Sequence, residues 1–130
     1  MYESALAENA YAYSAQHTST PRGIEYKLFA RVTRDLEAMK REKKSTPDRI
    51  AKLAKALNDN ERLWKALAVD VAMEGNGLPA ELRSKIFYLF EFTRQHSRKV
   101  LQGEAAVDVL VDINTAVMRG VKGEQGAQDA

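Results

Sequence analysis

The stretch ERLWKALAVDVAMEGNGLPAELR, Glu61 to Arg83, joins the only tryptophan of the chain, Trp64, to a sharply punctuated helix–turn–helix. Ile50, Leu53, Leu57, Trp64, Leu67 and Val71 recur at intervals of three, four, seven, three and four, which places them on one face of an α-helix. The skipped position is Asn60. One continuous helix from Pro47 to Met73 fits this stripe better than two. A break, if there is one, belongs at Asn58-Asp59-Asn60, whose side chains compete for local backbone hydrogen bonds. Glu74-Gly75-Asn76-Gly77 reads as a turn, with glycine supplying positive φ where the helix stops. Leu78 and Pro79 then lead into a new helix, because proline favours the first helical position.

Downstream, Leu82, Ile86, Leu89, Phe90 and Val100 mark that helix and Gly103 stops it. A last helix, about Glu104 to Arg119, carries Val107, Leu110, Asn114, Val117 and Met118, and Gly120 reads as its end. The remaining KGEQGAQDA has no periodicity and is expected to be disordered. Upstream, Ser45-Thr46-Pro47 and Thr20-Pro21 repeat one start signal, a hydroxyl N-cap followed by proline. After Thr20-Pro21, Ile24, Leu28, Phe29, Val32, Leu36 and Met39 form an apolar stripe, while Lys27, Arg31, Arg34 and Asp35 lie off it. The alanine-rich segment Glu3 to Gln16, with Leu6, Tyr11 and Tyr13, has a weak core face and must dock on something to be stable. The expected architecture is an all-α, small single-domain helical bundle of four to five helices with one long central helix. The domain spans 1–121 and the tail 122–130.

At 130 residues, 45% hydrophobic and 29% charged, the chain fits one ordinary globular domain with a sizeable core. The absence of cysteine removes disulfides, thiolate catalysis and cysteine metal sites together, and agrees with a reducing compartment. The N-terminus MYESALAENAYAYSAQ has acids and aromatics where a signal peptide needs cations and a long apolar run. No window approaches the ~20 apolar residues of a membrane span, so a cytoplasmic protein without a membrane role is expected. Net charge is +2 but unevenly placed: Arg22 to Lys55 holds 11 basic and 5 acidic residues, a local +6. The remainder holds 9 basic and 13 acidic residues, or −4. That asymmetry either steers an acidic partner or is a solvated helical face.

No enzymatic constellation emerges. Two histidines, His17 and His96, without a carboxylate at ligating helical spacing make a poor metal site. There is no G-x-S-x-G element, and Gly75 and Gly77 in EGNGLP lack the lysine of a phosphate loop. No cofactor is implied. Direct nucleic-acid binding is disfavoured because the helix after Pro79 continues from Glu81, Arg83, Ser84 and Lys85 into IFYLF, which is core or partner surface rather than a groove reader. Trp64 reads as a core residue with its indole N–H bonded at the rim, or else as a partner hot spot. Asp70 is expected to cap the helix or bridge to Arg83 across the turn. Asn114, in an otherwise apolar stripe, is a hydrogen-bonded register lock or part of a partner site. The tyrosines of the N-terminal segment with Leu6, rimmed by Arg22, Lys27 and Arg31, form the candidate partner surface. The FYLFEF helix around Phe87 and Tyr88 is the alternative.

Taken together, several pieces resemble the FlaF flagellar biosynthesis regulators of the alphaproteobacteria. They are AYA around Tyr11, the run from Pro21 to Thr33, Leu63-Trp64 with Asp70, Asn76-x-Leu78-Pro79-x-x-Leu82-Arg83, and Asp112-Ile113-Asn114 through Gly120. The chain departs in the helix after LPAELR, where FYLFEF stands in place of the second tryptophan of other members. The resemblance implies a flagellum-biogenesis factor acting on flagellin, promoting its synthesis or export by binding it as a chaperone-like adaptor. The alternative it implies is regulation through FlbT or the flagellin messenger.

Overall fold

The computed structural model describes residues 3–7, 26–41, 46–73 and 79–129, with Leu82 and 120–129 as backbone alone. Every regular element among them is helical: α1 at residues 3–7, α2 at Tyr26–Arg41, α3 at Pro47–Ala72, α4 at Ala80–Leu101 and α5 at Asp108–Asp129. The four long helices form an antiparallel bundle. The α3 helix packs against α2 and α4, α2 also packs against α5, and the α4–α5 seam is the slightest of the four. The expected all-α domain with a long central helix is what forms.

The start of α3 follows its sequence signal. Thr46 is extended, at φ −112° and ψ 156°, and its Oγ1 accepts the Arg49 N–H at 3.1 Å while Pro47 occupies the first turn. The helix then runs unbroken through Asn58-Asp59-Asn60. The groups that would compete with the backbone there are engaged elsewhere: Asp59 accepts from Lys55 at 2.8 Å, and the Asn60 Oδ1 accepts from Asn114. The end of α4 is a Schellman motif. The Gly103 N–H donates to the Val100 O and the Glu104 N–H to the Lys99 O, with Gly103 at φ +80°.

Two boundaries differ from expectation. The last helix begins at Asp108 rather than Glu104, because the Glu104 N–H closes the preceding motif and residues 104–107 complete the turn. Gly120 does not end it: the helix continues to Asp129, across the start of the aperiodic tail at 122. Each glycine costs a helix only about 1 kcal/mol relative to alanine, and no proline follows Gly120.

One core spans the bundle. Phe29, Val32 and Leu36 of α2, Leu53, Leu57, Leu67 and Val71 of α3, Ile86 and Leu89 of α4, and Leu110, Ile113 and Val117 of α5 are all buried in it. Trp64 is at its centre, 1% exposed, with its ring edge-on to Phe29 at 6.2 Å. Ile50 is a correction to the apolar stripe: it is 48% exposed in the first turn of α3.

Candidate functional site

The most ordered polar feature lies inside the bundle. Trp64 Nε1 donates to Asn114 Oδ1 at 2.9 Å, and Asn114 Nδ2 donates to Asn60 Oδ1 at 2.7 Å. Both asparagines are fully buried. This relay links α3 to α5 diagonally across the core, more than fifty residues apart in sequence for Asn60 and Asn114. Buried amides that satisfy one another in this way allow one relative setting of the two helices, so Asn114 is a register lock and Trp64 is core. Asn60 is the participant that the sequence reading passed over. Its signal was the spacing itself, because it fills the gap between Leu57 and Trp64 at intervals of three and four. Thr33 and Thr93, also buried, had no such signal.

The expected N-terminal partner surface divides into three parts. Leu6 is a correction: it is 7% exposed and belongs to the core with Ala7, so it does not present a free apolar face. Lys27 and Arg31 are exposed one turn apart on α2, as a charged rim requires. Tyr11, Tyr13 and Arg22 lie outside the described residues, as do Asn76 and Leu78 of the turn. Around that turn, the Met73 N–H donates to the Asp70 O at 3.3 Å and the Arg83 N–H to the Pro79 O at 3.1 Å, so the two strands of chain are each closed by their own helix ends. Asp70 and Arg83 are half-buried.

The outer surface of α4 carries exposed aromatic side chains. Phe87 and Tyr88 are 41% and 45% exposed. Tyr88, Phe92 and His96 succeed one another at four-residue intervals as a ladder of near-parallel rings, with centroids 6.3 and 5.5 Å apart. The His96 ring is held at the far end by Ala106 O, 2.8 Å from Nε2, which ties it to the turn before α5. On the same helix, Glu91 Oε1 accepts from Gln95 Nε2 at 3.2 Å and from Arg94 at 3.1 Å. The Gln95 hydrogen bond is the main cause that holds the Glu91 carboxyl below its ordinary range; desolvation opposes it, and the Arg94 charge and hydrogen bond, with the Arg98 charge, add to the lowering. A second exposed apolar strip lies on the last turns of α3, where Arg62, Lys65, Ala66, Val69, Asp70 and Met73 line a groove of about 420 Å³. Among the described residues no group of His, Asp and Glu side chains is arranged to hold a metal ion, and no helix is long and apolar enough to cross a membrane.

This geometry is that of a folded scaffold with apolar outer surfaces. The family model described as "Flagellar protein FlaF" matches residues 7–121, nearly the whole helical domain. The chain belongs to the FlaF family. No curated protein and no solved structure matches it. The matched FlaF region contains Trp64, Asn60 and Asn114, so the internal relay falls within the part of the chain that defines membership.

Proposed function

We propose that this FlaF-family protein is a non-enzymatic, cytoplasmic factor of flagellum biogenesis that binds newly made flagellin as a chaperone-like adaptor and so promotes its synthesis or export. Family membership across residues 7–121 carries the flagellar part of this reading. The flagellin part is supported by chemistry: an amphipathic helix that would otherwise self-associate is masked by laying its apolar stripe on a complementary apolar surface. Phe87, Tyr88 and Phe92 on α4 offer such a surface, with aromatic side chains of the kind that dominate interface energetics. Because Leu6 is committed to the core, the α4 face is the better partner surface than the N-terminal segment.

A second reading, action through FlbT or the flagellin messenger, is favoured by the exposed cations Lys27, Arg31, Arg34 and Arg41 along α2. Salt separates the two. In a pull-down of the full chain with flagellin and with FlbT at moderate and high salt, apolar capture of flagellin persists at high salt, whereas binding led by the α2 cations is lost. Retention of FlbT or RNA alone, with no flagellin at either salt, would replace the first reading by the second.

A further inference from the structure

The buried relay has a chemical direction. An indole nitrogen only donates, so Trp64 obliges Asn114 to present Oδ1 to it and to turn Nδ2 toward Asn60. Asn60 accepts at Oδ1 and is left with its own amide, two donors, pointing onward. Asn60 is fully buried and, among the described residues, its Nδ2 has no acceptor. Three other buried polar atoms share that condition, Arg94 Nε on α4 and two hydroxyls, Thr33 Oγ1 on α2 and Thr93 Oγ1 on α4, the last two on residues no more than 4% exposed.

The antiparallel register brings these groups to one level. From the Lys40–Asp108 ion pair, Thr33 is seven residues back along α2 and Asn114 six residues on along α5. Those separations are about 10 and 9 Å of helical rise. Across the other seam, Leu57 and Glu61 line a common groove with Arg94 and Ser97, which sets Thr93 opposite Asn60. The layer therefore takes one short polar residue from each long helix: Thr33, Asn60, Thr93 and Asn114. Its threonines are smaller than Leu36 and Leu89, the buried residues one turn away on the same helices. A buried amide without a partner is destabilising, so the layer needs an acceptor for Asn60 and a partner for the hydroxyls. A single water is both, and a polar, roomy spot with several partners is where buried waters bind.

We propose that this layer binds a buried water molecule, which accepts from Asn60 Nδ2 and donates to a threonine hydroxyl of the layer. The Trp64–Asn114–Asn60 relay thereby continues to a third helix. The test is a pair of high-resolution crystal structures, of the full chain and of its Thr33→Val/Thr93→Val variant. The wild type should show an ordered water within about 3 Å of Asn60 Nδ2 and of Thr33 or Thr93 Oγ1. The variant should lose that water while keeping the Trp64–Asn114 and Asn114–Asn60 hydrogen bonds. Two results overturn the proposal: a wild-type layer with no ordered water between Asn60 Nδ2 and Thr33 or Thr93 Oγ1, or a water that stays in place without the threonines. If the variant does not fold, the wild-type crystal decides alone, since the absence of an ordered water between Asn60 Nδ2 and a threonine Oγ1 overturns the proposal by itself.

Discussion

Asn114 is the residue on which most depends, because it satisfies a donor and an acceptor at once. Asn114→Leu keeps the approximate shape but leaves Trp64 Nε1 and Asn60 Oδ1 buried and unpaired. At about 1–3 kcal/mol per group, urea denaturation should show a loss of about 2–6 kcal/mol. Trp64→Phe removes the other end of the same bond, so the double variant should be less destabilised than the sum of the single ones, by about 0.5–3 kcal/mol. Strict additivity would mean that the relay does not couple the two helices. Glu91 gives a pH-dependent counterpart on the surface. Its folded pKa is lowered by Gln95 and Arg94, so its contribution is present at neutral pH and is lost as pH falls through the folded value, below the usual carboxylate pKa of about 4. Glu91→Gln should be slightly less stable than wild type at pH 7, and the gap should close on acidification. A gap that widens in acid would reverse the assigned sign. Trp64 and Asn114 were legible as core and lock because each stands out in an apolar stripe. Asn60 was legible only as an omission, since an asparagine reads as a break until its partner, 54 residues away, is known.

Helix boundaries were legible where a local cap specifies them. Thr46 and Pro47 specify the α3 start by local chemistry alone, and the cap hydrogen bond forms as expected. Thr46→Ala should cost about 1 kcal/mol, measured by thermal or chemical unfolding. An unchanged midpoint would show that Pro47 suffices. Gly103 stops α4 because it takes φ +80°, where an alanine is strained although nothing lies within 4 Å of its Cβ. Gly103→Ala should therefore cost about 1–2 kcal/mol, through the backbone rather than through a clash. Gly120 is the same residue type with the opposite outcome, and α5 passes straight through it. Nothing local separates these two glycines; the difference is that the chain must reverse after α4 to bring α5 back along α2, and need not reverse after Gly120. Ile50 shows the limit of periodicity at a helix start: it keeps the spacing of the stripe and is nonetheless 48% exposed.

At the scale of the molecule, the helical periodicities were enough to foresee a bundle with Trp64 in its core. They were not enough to tell which outer face remains free, because the α1 stripe and the α4 aromatics look alike until one of them is covered. Leu6 is the covered one, so Leu6→Ala should lower stability by about 2–5 kcal/mol, and deletion of residues 1–19 should lower the melting temperature. Unchanged melting in both would return the N-terminal segment to the list of partner surfaces. Phe87→Ala/Tyr88→Ala, by contrast, should change stability by about 0.5 kcal/mol per residue or less while weakening flagellin capture. The most direct test is calorimetric titration of the folded full chain with monomeric flagellin, repeated with the Phe87→Ala/Tyr88→Ala variant. Saturable binding by the wild type is expected, with at least about a tenfold loss, or 1.4 kcal/mol, in a variant that melts normally. A folded wild-type protein that gives no binding to monomeric flagellin would contradict the proposed function outright.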